Sequence, residues 1–75
     1  MSKFRLGQAV QFVLHFTTNL EFEDTTICGR FNGRLIVEDT WGCMYSIPES
    51  AVVVDPLGEY WYQVHSYDDL VPYRD

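Results

Sequence analysis

Asn32-Gly33 lies between two runs of strand-forming residues, and no other feature restricts the fold of this chain as tightly. A two-residue type I′ turn needs positive φ at both central positions, which asparagine and glycine tolerate and β-branched residues resist. The pair therefore predicts a tight β-hairpin. A second turn signal, Asp39-Thr40-Trp41-Gly42, precedes another strand-like run at residues 43–47. Pro48-Glu49-Ser50 breaks that run, and residues 51–54 resume an extended pattern. Residues 25–55 thus read as a β-meander: three short antiparallel strands, a break and a fourth strand.

Alternation marks a further strand at residues 9–16, with Val10, Phe12, Leu14 and Phe16 on one side and Ala9, Gln11, Val13 and His15 on the other. Residues 17–24 are acidic, with Leu20 and Phe22 interleaved, and read as a loop folded back on the barrel mouth. A two-residue hairpin loop pairs Arg30 with Leu35 and Cys28 with Val37, and a bulge beside the turn reverses that assignment. Asp55-Pro56-Leu57-Gly58 is another turn signal. After it, residues 59–67 can form a last strand, with Tyr60, Tyr62 and Val64 on one face and Trp61, Gln63, His65 and Tyr67 on the other. The expected core includes Val10, Phe12, Leu14, Val37, Tyr45 and Val52. Residues 68–75 read as a short turn or docked tail.

The run Phe4-Arg5-Leu6-Gly7-Gln8-Ala9-Val10, the long loop, the Asn-Gly hairpin and Tyr45-Ser46-Ile47-Pro48-Glu49-Ser50-Ala51-Val52 together resemble the layout of SH3-like small barrels. The resemblance covers residues 4–54 and implies an all-β fold, a small antiparallel barrel of about five strands with a short C-terminal extension. The expected organisation is one domain over residues 1–75, with the barrel at 4–65 and the tail at 66–75. Within that group the chain is similar in size, and in its Gly-x-x-Val opening, to the type II plasmid dihydrofolate reductases. Their Val-Gln-Ile-Tyr pore segment is replaced here by Cys43-Met44-Tyr45-Ser46-Ile47, so that activity is not carried over.

Composition narrows the function classes. A chain of 75 residues buries only about 60–65% of the surface its unfolded state exposes. Five Tyr, five Phe and two Trp are more aromatics than such a core can hide, so some belong to a surface or interface. Eleven acidic against five basic residues give a net charge of −6, which disfavours nucleic acid. Arg30 and Arg34, with Trp41, remain as a local alternative for that partner. Neither a signal peptide nor an apolar run of spanning length occurs, so no membrane contact is expected. Two cysteines fit a reducing, cytoplasmic setting with both thiols free.

Four constellations deserve weighing as chemistry. His15, Cys28, Cys43 and His65 are acceptable zinc ligands, but they lack the close pairs of a structural site, and no metal or cofactor is expected. The same residues lack a signature for an activated thiol, so Cys28 and Cys43 read as buried small hydrophobes and the histidines as surface residues. Glu21, Glu23 and Asp24, Glu38 and Asp39, and Asp68 and Asp69 read as solvated acidic surface, with no catalytic residue assigned. The fourth is the aromatic–acidic set Trp41, Trp61, Tyr67, Tyr73, Asp68 and Asp69, a candidate partner-binding surface. The sequence therefore points to a non-enzymatic accessory module that binds a protein partner or itself, of a kind that suits a phage, plasmid or integron cassette. The rival is an oligomeric barrel whose small-molecule or enzymatic site is shared between subunits.

Overall fold

The computed structural model describes residues 4–74. Seven strands form one curled sheet, a half-barrel, in the order β5-β6-β1-β2-β3-β4-β7. The strands are β1 (Ala9–Leu14), β2 (Glu21–Phe31), β3 (Arg34–Asp39), β4 (Met44–Pro48), β5 (Val53–Val54), β6 (Tyr60–Val64) and β7 (Val71–Pro72). Short 3₁₀ turns at Glu49–Ala51 and Tyr67–Asp69 complete the elements among the described residues. The all-β class is as expected. Seven strands among the described residues replace the expected five or so; β7 falls in the segment read as a turn or docked tail.

The hairpin at Asn32-Gly33 forms with φ of 51° and 75°, and Arg30 pairs with Leu35. A bulge then intervenes between Ile27 and Gly29, so Val37 pairs with Ile27 and not with Cys28. The extra residue turns Ile27 into the core, where it is 2% exposed, and leaves Cys28 at the surface. Cys43 is exposed as well, in the β3–β4 turn. The expectation of two buried thiols is corrected on both counts.

Two further corrections concern β1. The expected acidic loop at residues 17–24 is shorter, because β2 begins at Glu21 and pairs antiparallel with β1 from Leu14↔Glu21 to Ala9↔Thr26. The interleaved apolar residue there, Phe22, belongs to a period-two strand pattern. On its other side β1 pairs with β6 in parallel, from Val10↔Tyr60 to Leu14↔Val64, so the sheet is not wholly antiparallel. The strand after the break, β5, offers only Val53 and Val54, both exposed. It folds back on β6, and β6, with the larger apolar face, takes the place beside β1.

The core lies inside the curl. Val10, Phe12, Ile27, Leu35, Val37, Ile47 and Val64 are 2% exposed or less. Leu14 and Val52 are buried as expected, while Tyr45 is half-buried and packs against the cluster from its margin. The Phe12 ring lies 5.3 Å from Tyr62 and 6.2 Å from Tyr45. Burying a ring of this kind contributes about 1.5–3 kcal/mol.

The C-terminal segment joins this sheet. The Tyr62 hydroxyl donates to the Asp69 carbonyl at 3.0 Å, Leu70 packs against the core, and the Tyr73 N–H donates to the Met44 carbonyl at 2.9 Å. Ser66 and Asp69 form a reciprocal capping box around the 3₁₀ turn.

Candidate binding surface

Strand alternation places Val10, Phe12 and Leu14 inside the curl and Gln11, Val13 and His15 outside it. Register carries the outer face across three strands. Trp61, Gln11 and Asp24 form one row over β6, β1 and β2, and Gln63, Val13 and Phe22 form the next. The Phe22 and Trp61 rings meet edge to face at 6.2 Å and 74°. Val13 lies in the same patch and is only 6% exposed, although it faces away from the core. Phe22 is 56% exposed, and Val53, paired with Trp61 on β5, is 58% exposed.

Polar groups hold this patch in place. The Trp61 indole N–H donates to Asp55 Oδ2 at 2.9 Å. That bond, with main-chain donors from Glu59, Leu57 and Gly58, pulls the Asp55 carboxyl below its ordinary value. Gln11 Nε2 donates to Asp24 Oδ1 at 2.7 Å. Farther along β1 and β6, His15 stacks on His65 with centroids 4.6 Å apart and planes 15° apart, and His15 Nε2 hydrogen-bonds Gln63 Oε1.

The six residues expected to bind a partner fall on separate elements. Trp61 lies on the outer face in β6, half-buried. Tyr67 and Asp68 are exposed on the second 3₁₀ turn, and the Tyr67 ring contacts Phe16 at 4.3 Å. Asp69 is half-buried and already engaged, its carboxylate accepting the His65 N–H at 2.8 Å as well as closing the capping box. Trp41 is 77% exposed in the β3–β4 turn, and Tyr73 lies just beyond β7, beside Met44. The surface that does assemble is Trp61 with Phe22, Val13 and Val53. Read as loop, the stretch around Phe22 does not single it out as a site residue. The signal that finds it is the alternation of Leu20 and Phe22 with Glu21 and Glu23.

A second polar cluster lies on the inner side of the sheet. Glu23 pairs with Phe12 in register, and its carboxyl hydrogen-bonds that of Asp39. Burial first, then this bond and the Asp39 charge, push the Glu23 carboxyl above its ordinary value of 4.5. Desolvation, followed by the charge of Asp39, likewise raises the Tyr45 phenol. Asp39 also accepts the N–H groups of Trp41 and Cys43, both at 2.9 Å, so this cluster organises the β3–β4 turn.

The zinc candidates separate in space: His15 and His65 meet, while Cys28 sits on the β2 bulge and Cys43 in the β3–β4 turn. Among the described residues no group of three or more His, Cys, Asp or Glu could hold a metal ion. No helix among them is long and apolar enough to cross a membrane. Comparison with known proteins gave no match to a family model, a curated protein or a solved structure.

Proposed function

We propose that this chain is a non-enzymatic binding module whose outer sheet face docks a cationic protein segment. The observation that carries the reading is the Trp61–Phe22 pair, left with Val53 on the face opposite the core and bordered by Asp24 and Asp55. An aromatic shelf supplies contact area at low conformational cost, and flanking carboxylates steer and select positive charge. The overall charge of −6 acts in the same direction at longer range. The β2–β3–β4 meander followed by a 3₁₀ turn supports an SH3-like reading of the fold, in which β6 and β7 are additions to the small barrel. Two exposed thiols, Cys28 and Cys43, suit a reducing compartment such as the cytoplasm.

Fluorescence anisotropy with two labelled peptides tests the proposal, one alternating arginine with leucine and the other with glutamate at each arginine position. The arginine peptide should bind, and the glutamate peptide should not. The double variant Phe22→Ser with Trp61→Ser should weaken binding about tenfold or more while remaining folded by circular dichroism. Equal affinity for the two peptides, or unchanged binding by a folded double variant, overturns it.

A further inference from the structure

Beside the Trp61 shelf the sheet leaves a groove. Parallel pairing between β1 and β6 begins only at Val10↔Tyr60. One residue earlier the chain before β6 turns away into the 55–59 turn, and a hollow of about 280 Å³ opens between them. Gln8, Gln11, Asp24, Gly58, Glu59 and Tyr60 are among the residues that line it. Gln11 and Asp24 also belong to the outer-face row that contains Trp61, so groove and shelf are continuous.

The chemistry of the walls is one-sided. Asp24 and Glu59 are carboxylates, and no lysine or arginine is among the described residues lining this hollow. Gln11 spends an amide N–H on Asp24 Oδ1, which leaves its own carbonyl oxygen and Asp24 Oδ2 as acceptors. A guanidinium group is the complement: it has only donors, arranged in a planar fork, and it stacks on aromatic rings. Arg5 borders an adjoining hollow that shares Gln8, Ala9 and Tyr60, and it does not line this one.

We propose that this groove receives an arginine side chain of the docked segment, with Asp24 and Glu59 as its counter-charges. The assignment rests on the outer-face reading and adds to it a side-chain preference and an anchoring point. Lysine fits less well because its ammonium is a compact point charge without the planar fork.

The test is an NMR titration of the ¹⁵N-labelled chain with the N-acetyl amides of arginine, lysine and citrulline. Arginine should give saturable shifts at Gln8, Gln11, Asp24, Gly58 and Glu59, lysine weaker ones, and citrulline, which keeps the shape without the charge, none. The double variant Asp24→Asn with Glu59→Gln should lose the arginine shifts and keep a wild-type fold. Citrulline shifts equal to those of arginine, or arginine shifts that persist in the double variant, overturn the groove. The arginine–leucine peptide separates the two claims. If it binds through Trp61 and Phe22 while free arginine avoids the groove, only the groove assignment fails. If the peptide does not bind at all, the docking reading fails with it.

Discussion

The two Asp-x-x-Gly turns share one backbone frame and put it to opposite uses. In each, the aspartate N–H donates to the carbonyl of the residue after glycine, Asp39 to Cys43 and Asp55 to Glu59, both at 2.9 Å. Each glycine N–H returns to its aspartate carbonyl, and Gly42 and Gly58 both have φ of 83°. Each aspartate Oδ1 accepts two more main-chain N–H groups, from Trp41 and Cys43 in one turn and from Leu57 and Glu59 in the other. The difference lies in what else the carboxylate meets. Asp55 reaches the indole of Trp61 on the outer face, whereas Asp39 is buried against Glu23 on the inner one. Local sequence builds the frame; the neighbouring strands decide whether it serves the interior or the surface.

The largest contrast should come from the aspartates. Asp39→Ala strands two N–H donors in a turn whose acceptor is buried and should cost about 2–3 kcal/mol by denaturant unfolding. Asp55→Ala opens the same bonds to water and should cost clearly less. Equal losses would dissolve the distinction drawn between the two turns.

Next come the glycines, where the shared frame predicts equality. Gly42→Val and Gly58→Val each force a β-branched residue to positive φ, with open space around the new Cβ in both cases. Each should lose about 1–2 kcal/mol, and by similar amounts, in parallel thermal melts. A several-fold difference would mean that packing, not backbone strain, controls these positions.

The pH dependence is subtler. Because the Glu23 carboxyl is raised above 4.5, the folded state holds that proton more tightly than the unfolded chain. Its contribution to stability is complete below 4.5 and is lost as pH rises through the raised value. Glu23→Gln should flatten that fall in unfolding experiments across the window just above 4.5. An unchanged slope would remove Glu23 from the linkage.

The smallest effect concerns Asp55, whose depressed carboxyl favours the folded state above 3.8 and ceases to do so as pH falls through its lowered value. The indole N–H resonance of Trp61 should report this, shifting with a midpoint below pH 3.8. A midpoint at or above 3.8 would show that the indole bond does not stabilise the charged carboxylate.

Turn chemistry was the most legible part of this chain. Asn32-Gly33, Asp39–Gly42 and Asp55–Gly58 are encoded in a few adjacent residues, and the alternation of Val10, Phe12 and Leu14 marked the core face correctly. The bulge at Cys28 was not legible, because nothing local distinguishes the residue that drops out of the ladder. Nor was the parallel place of β6, which depends on competition with β5 for the free side of β1. Trp61 was identified as a surface aromatic from its strand parity. Its companion Phe22 was hidden by the acidic residues on either side, of which Glu23 turns inward to Asp39.

The parallel pairing of β1 with β6 also sets an order of assembly. Val10 meets Thr25 across a short connection, but its other neighbour, Tyr60, comes about fifty residues later in sequence. The meander can form early from local contacts, leaving one flank of β1 bare. Closing that flank requires a long loop to be gathered first, a loss of chain entropy incurred before any contact repays it. Docking of β6 is therefore the slow step expected in refolding. On a ribosome, β1 must wait until β6 has been synthesised before its second neighbour arrives, with Val10, Phe12 and Leu14 only partly covered meanwhile.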